Sequence, residues 1–195
     1  MNDFLATTIT VPERAKAVSI VTKEFMQNGI PYKLYMDKEH RGIWWNQARM
    51  FVDLCELNSE KHIITTTDDI EFKSDWLERV ERVLSETDYE IIALFTNQNT
   101  KPDNDLGVRR ARYRMWMYDQ AVVWRKGVLN QRFIDGLMAY CESPDRTQKE
   151  LRHLDCMMSA YTFDSGYKCC TLRPNAIRLQ NIKSVVGHSI VIKEN

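Results

Sequence analysis

The first 95 residues alternate between short β-prone runs and longer segments of helical periodicity, and this alternation limits the fold more than any other feature. Leu5 to Val11 is rich in Thr and Ile and stops at Pro12-Glu13-Arg14, where proline suits the first turn of a helix. The helix predicted there runs to about Asn28 and ends at Gly29, with Ala17, Ile20, Val21 and Phe25 on one face. Tyr32 to Met36 reads as a second strand ending in Asp37, and Ile43 to Leu57 as the next helix. His62 to Thr67 is a third strand, followed by a helix from Ser74 to Glu86 with an apolar stripe of Trp76, Val80, Val83 and Leu84. Ile91 to Phe95 is a fourth strand. This order predicts an α/β fold with a parallel sheet between helical layers.

After Phe95 the pattern changes. Asn97 to Val108 is polar and turn-rich, long enough to be a mobile active-site loop. Tyr113 to Trp124 reads as two short strands, Leu129 to Cys141 and Gln148 to Asp164 as helices, and Tyr167 to Leu172 as a late strand. A chain of 195 residues fits one domain, 1–195, with a front half at 1–96 and a mixed back half at 97–195. Lys plus Arg and Asp plus Glu number 27 each, so no whole-protein field draws nucleic acid or a membrane surface. No apolar run reaches the ~18 residues that cross a bilayer, and no secretory signal precedes the first strand, so a cytoplasmic location is expected. The five cysteines lack CxxC spacing and read as buried thiols rather than a disulfide or zinc framework.

The third strand runs straight into Asp68-Asp69. Strand ends in open α/β sheets point into the crevice where ligands bind, and adjacent carboxylates repel unless a cation sits between or beside them. A hard divalent ion carrying phosphates meets that need. An Asx turn before the next helix explains the dipeptide as well. Thr7, Thr8, Thr10, Glu13 and Arg14 surround the end of strand one, where Arg14 reads as a base or phosphate contact or as a surface ion pair. Asp37 reads as a ribose or base contact, or as a turn former. Asp155 suits a general base if it faces the crevice, or a helix-surface acid beside Arg152 if not. Arg109, Arg110, Arg112 and Arg114, interleaved with Tyr113 and Trp116, form a basic and aromatic segment suited to phosphates and bases, or a strand edge protected by charge. Lys183, Ser184 and His188 supply polar groups for a tail over a pyrophosphate. GxGxxG and GKS/T elements are absent, which disfavours dinucleotide and P-loop chemistry.

Taken in order, several segments resemble the GT-A nucleotide-sugar glycosyltransferases, most of all a small family found in bacteriophages. They are Thr10-Val11-Pro12-Glu13-Arg14, Met36-Asp37, Gly42-Ile43-Trp44-Trp45-Asn46 and Thr67-Asp68-Asp69-Ile70 at the DXD position. Asp119 to Trp124, His153 to Met157, and Pro174 through Lys183 to His188 continue the match. The resemblance implies a GT-A-like three-layer α/β/α sandwich with a mostly parallel central sheet, a nucleotide-sugar front half and an acceptor-side back half. It implies a metal-dependent glycosyltransferase using a UDP-linked donor with Mn2+ or Mg2+. Thr10, Arg14 and Asp37 would hold the donor, Asp68 and Asp69 the metal, and Lys183 and Ser184 the pyrophosphate. Asp155 would be the acceptor-side base, giving inversion, or retention if it only orients the acceptor. The acceptor is expected to be a hydroxylated base in DNA, a saccharide or a protein. Thr67 stands where the first DXD carboxylate is usual, and Leu179 where relatives carry a histidine, so either His188 supplies a C-terminal metal contact or the site has none. The contrasting reading is a non-catalytic nucleotide- or nucleic-acid-binding module with the same fold.

Overall fold

The computed structural model describes residues 3–57, 59–97, 100–114, 120–143 and 154–180. The front half follows the predicted alternation. β1 (Phe4–Thr10) leads through Val11 and one 3-10 turn (Pro12–Arg14) into α1 (Ala15–Gln27). β2 (Tyr32–Met36), α2 (Ile43–Leu57), β3 (His62–Thr67) and β4 (Ile70–Phe72) come next. α3 (Trp76–Glu86) and β5 (Ile91–Ala93) complete that half. The back half holds β6 (Val108–Arg110), β7 (Ala121–Trp124), α4 (Gln131–Glu142), α5 (Leu154–Asp164), β8 (Cys169–Leu172) and β9 (Ile177–Leu179).

Seven strands form one sheet in the order β2-β1-β3-β7-β5-β8-β6. β1 pairs parallel with β2 and β3, and β5 parallel with β8, while β7 lies antiparallel between β3 and β5 and β6 antiparallel at the edge. Five of the seven strands therefore run one way. The sheet is parallel in its main direction, and a late strand is inserted at its centre. β7 can occupy that place because it is apolar on both faces. Its Val122 and Trp124 pack with Phe51 of α2, Phe133 of α4 and Tyr161 of α5, while Ala121 and Val123 pack with Phe25 of α1 and Val80 of α3. The result is three layers with a core on each side of the sheet.

Two short strands lie outside the predicted set. β4 and β9 pair antiparallel as a separate ribbon, with Ile70 opposite Leu179 and Phe72 opposite Ile177. The region expected as a mobile loop is pinned where it is described. The Asp103 N–H donates to Val108 O at 2.8 Å, and the Asn104 side-chain oxygen accepts from the Leu106 N–H at 3.2 Å, so a turn feeds directly into β6. Of the two short strands expected between Tyr113 and Trp124, one is β7 at the end of that span; β6 lies before it, and residues 115–119 lie outside the described set. No helix among the described residues is long and apolar enough to cross a membrane.

Candidate active site at the carboxyl ends of the strands

The parallel strands β1, β2, β3, β5 and β8 end on one side of the sheet, and most of the predicted site residues within the described set follow those ends. The ends of β1 and β3 are built from threonines. β-branching suits Thr to a strand, and a hydroxyl that finds a partner can be buried there. Thr8 and Thr66 pair hydroxyl to hydroxyl at 2.8 Å, and both are buried.

Asp68 continues this polar seam and is 3% exposed. Thr10 Oγ1 donates to its Oδ2 at 2.6 Å and Arg14 Nη1 to its Oδ1 at 2.7 Å, so both oxygens are engaged. Burial lifts the Asp68 carboxyl above its usual range, and the bonds from Thr10 and Arg14 oppose that rise without cancelling it.

Asp69 has a different environment. Thr67 Oγ1 donates to its Oδ1 at 2.6 Å, while Oδ2 lies 3.9 Å from Arg14 Nη1 with a third of the side chain open. Its backbone carbonyl accepts from the Gln180 N–H at 2.7 Å, and Gln180 Nε2 donates to Ile70 O at 2.7 Å. The β4–β9 ribbon thus clamps the turn. The two carboxylates divide the work: Asp68 anchors Arg14 to the sheet, and Asp69 presents one open oxygen. Thr67, the departure from a DXD pattern, orients Asp69.

Asp37 is 2% exposed and accepts from the backbone N–H groups of Arg41 at 3.1 Å and Gly42 at 2.8 Å. Its carboxylate closes the loop that opens α2, which is the turn-forming role. Burial alone would raise its carboxyl, but the N–H groups of Gly42, Arg41 and Glu39 outweigh that and hold it below the usual range. A carboxyl held low in the folded state binds fewer protons folded than unfolded. Its contribution is therefore present above the unfolded value of about 4 and is lost as pH falls through the folded value. In urea titrations the advantage of the wild type over Asp37→Asn is expected to shrink as pH drops below about 4. A difference that stays constant down to pH 3 would refute this anchoring.

Asn46, on the first turn of α2, is buried and donates to Tyr35 O at 2.5 Å while accepting from Arg49 at 2.9 Å. Arg41 and Arg49 lie 4.5 and 4.7 Å from the Trp45 ring. Cation–π contacts of this kind tie the loop to the helix.

Asp155 lies at the start of α5, where its Oδ1 accepts from the Cys156 N–H at 2.8 Å. α5 reaches β8 through a short turn, which puts the helix start at the same side of the sheet as the end of β8. Among the described residues Asp155 makes no hydrogen bond or ion pair with Asp68, Asp69 or Arg14. Lys183, Ser184 and His188, with His153, Asp119 and Trp116, lie outside the described residues.

The arginine segment does not form one track. Arg112 pairs with Asp103 at 2.9 Å and Arg114 with Asp164 at 2.9 Å, which leaves Arg109 and Arg110 on the sheet edge beside β8. A cleft of about 930 Å3, lined by Glu90, Arg132, Asp135, Tyr140, Tyr161 and Tyr167, opens at the opposite ends of the strands. In α/β sheets ligands favour the carboxyl ends, so the carboxylate site remains the candidate.

Among the described residues no group of three His, Cys, Asp or Glu converges as a metal cage. The open oxygen of Asp69 does fit Mg2+ or Mn2+ in the manner these ions adopt with nucleotides, held by one carboxylate and otherwise by phosphates and water.

No protein-family model matches the sequence, and no curated sequence does either. Solved structures do. Protein A197 from STIV superposes with a TM-score of 0.53 at 8% identity, covering 100% of this chain and 99% of its own. S. aureus TarS 1-349 superposes with a TM-score of 0.54 at 10% identity over 91% of this chain, which spans 59% of that one. The fold is GT-A-like. At these identities the likeness is one of fold alone. The glycosyltransferase GlyE of Streptococcus pneumoniae TIGR4, at a TM-score of 0.48 and 10% identity over 87% of this chain and 45% of its own, is too distant to add to it. The antiparallel β7 between β3 and β5 gives the GT-A-like sheet its mixed half, and β1, β2 and β3 form its parallel half.

Proposed function

We propose that this chain is a metal-dependent glycosyltransferase that moves a sugar from a nucleotide-sugar donor, UDP-linked, to an acceptor hydroxyl. The observation that carries this reading is the division of labour in Thr67-Asp68-Asp69 at the end of a central strand. One carboxylate is buried and locks an arginine in place, and its neighbour is left with an open oxygen. The GT-A-like fold supports it. Mn2+ or Mg2+ would be held by Asp69 and would stabilise charge on the departing diphosphate. Arg14, fixed between Asp68 and Asp69, adds positive charge at the same place.

The acceptor oxygen attacks the anomeric carbon as the bond from that carbon to the donor phosphate oxygen breaks. The nucleoside diphosphate leaves with the electron pair, and Asp155 takes the hydroxyl proton. An attack opposite the leaving group inverts the anomeric centre. Lys183 and Ser184 suit the pyrophosphate.

The direct test is donor hydrolysis across a panel of nucleotide sugars, with and without Mn2+, beside thermal shifts with the matching diphosphates. A nucleotide at a hundred times its dissociation constant stabilises by about 2.7 kcal/mol. A panel with no metal-dependent shift and no hydrolysis would sink the reading. Asp155→Asn is expected to keep donor binding and lose transfer by about 10²- to 10⁴-fold, the usual worth of a general base. Full transfer in that variant would remove Asp155 from its role.

A further inference from the structure

Arg173 stands apart from the other arginines around the site. It follows β8, is 7% exposed, and its Nη2 donates to the Thr100 hydroxyl at 2.7 Å. Its Nε is buried without a partner, and no carboxylate pairs with it among the described residues. The register sets Arg109 opposite Thr171, and the Arg173 N–H still donates to Gly107 O at 2.6 Å. Side chains alternate along a strand, so Arg173, two residues beyond Thr171, projects from the same face as Arg109. Arg109 also has no acidic partner among the described residues. Burial, and next the charge of Arg109, push the Arg173 guanidinium below its ordinary value, with Tyr113 opposing.

Like charges side by side, one of them desolvated, are costly unless an anion completes them. The backbone is shaped to keep them there. Gly107 has φ +69°, and a Cβ on it would meet Arg173 O at 2.6 Å, so only glycine allows the approach that seats Arg173. Arg112 and Arg114, a few residues along the same segment, each have a carboxylate, and Arg110 falls on the opposite face of β6, so Arg109 and Arg173 stand together on their face.

We propose that Arg173, Arg109 and Thr100 form a phosphate subsite on the acceptor side of the sheet. The Thr100 hydroxyl accepts from Arg173 and keeps its own proton to donate, and with the N–H groups of the Arg109 guanidinium it offers at least three donors. Three donors suit the oxygens of a phosphate better than the two of a carboxylate. β8 is three strands from β3, roughly 14 Å at the usual strand spacing, too far for the subsite to share the donor diphosphate. The ligand is one phosphate group rather than a polyanion, because Arg112 and Arg114 are neutralised, Arg110 falls on the other face of β6 from Arg109, and the chain has no net charge. That this phosphate belongs to the acceptor rests on the transferase reading; the anion site does not.

The test uses the full chain with inorganic phosphate and glycerol 3-phosphate, against sodium chloride at matched ionic strength. Saturable stabilisation is expected in the wild type and unchanged in Asp69→Asn. Affinity is expected to fall about tenfold or more in Arg109→Gln, a partly exposed edge position, and in Arg173→Lys, which keeps the charge but loses the planar fork. Equal binding in Arg109→Gln overturns the site, as does binding lost in Asp69→Asn alone, which would place the anion on the donor side. A short single-stranded oligonucleotide that binds more tightly than glycerol 3-phosphate, with log K falling against log salt by more than about 2, would overturn the single phosphate in favour of a nucleic-acid track. If donor hydrolysis is absent while Arg109-dependent phosphate binding persists, the transferase reading fails and the subsite stands.

Discussion

Asp69→Asn is expected to abolish metal-dependent donor binding and to reduce donor hydrolysis by about 10²- to 10³-fold, the scale seen when one group that stabilises departing charge is removed. The substitution is nearly isosteric. The amide oxygen can still accept from Thr67 Oγ1, and the side chain is one-third open, so the loss of a carbonyl-like partner is avoided. Stability should therefore change by no more than about 0.5 kcal/mol, the range for surface substitutions. The informative result is the combination: a folded protein with an unchanged melting temperature that no longer responds to nucleotide plus Mn2+. Undiminished metal-dependent binding in Asp69→Asn would show that the open oxygen is not the metal ligand.

Asp68→Ala is expected to act on the fold, one residue away. Arg14 Nη1 and Thr10 Oγ1 both point at a carboxylate that is almost wholly buried. Removing it leaves a guanidinium and a hydroxyl with nothing to accept from them, and breaking a buried pair in this way costs about 3–5 kcal/mol. A domain holds only about 5–15 kcal/mol in all, so the loss should be plain in urea unfolding. Asp68→Asn should fall between, because two donors converge on two oxygens and an amide offers one. The rise that burial imposes on the Asp68 carboxyl is consistent with this. A buried pair gains little over its hydrated parts yet is expensive to break. A loss below about 1 kcal/mol in Asp68→Ala would mean that Arg14 finds water instead.

The parallel front half was legible in the sequence because its elements carry their own period. β2, α2 and β3 have the predicted bounds, and β1 and α3 differ by one or two residues at their ends. Apolar faces spaced for one core are local information. The placement of β7 between β3 and β5 is not, since Ala121 to Trp124 is a four-residue apolar run whose neighbours lie about 30 and 60 residues earlier. β4 and β9 have three residues each, too short to show alternation. At the site, Asp68-Asp69 announced itself as a pair, but its division into anchor and open carboxylate depends on Thr10 and Arg14, which only the fold brings together. Of the two readings of Asp37, the turn is the one that the N–H groups of Arg41 and Gly42 support. Arg173 gave no signal, because an arginine before a proline is ordinary until burial strips its water.

The β4–β9 ribbon also bears on when the site comes into being. It joins the Asp68-Asp69 turn to backbone more than 100 residues later, through Gln180 and the pairing of Ile70 with Leu179. Closing so long a loop is slow compared with pairing β1 and β3, so the front sheet can assemble while the turn is still unheld. During synthesis, then, the chain passes through a stage with a formed sheet and an unfinished mouth. The Asp68-Asp69 turn is held only when residues 177–180 have emerged and docked.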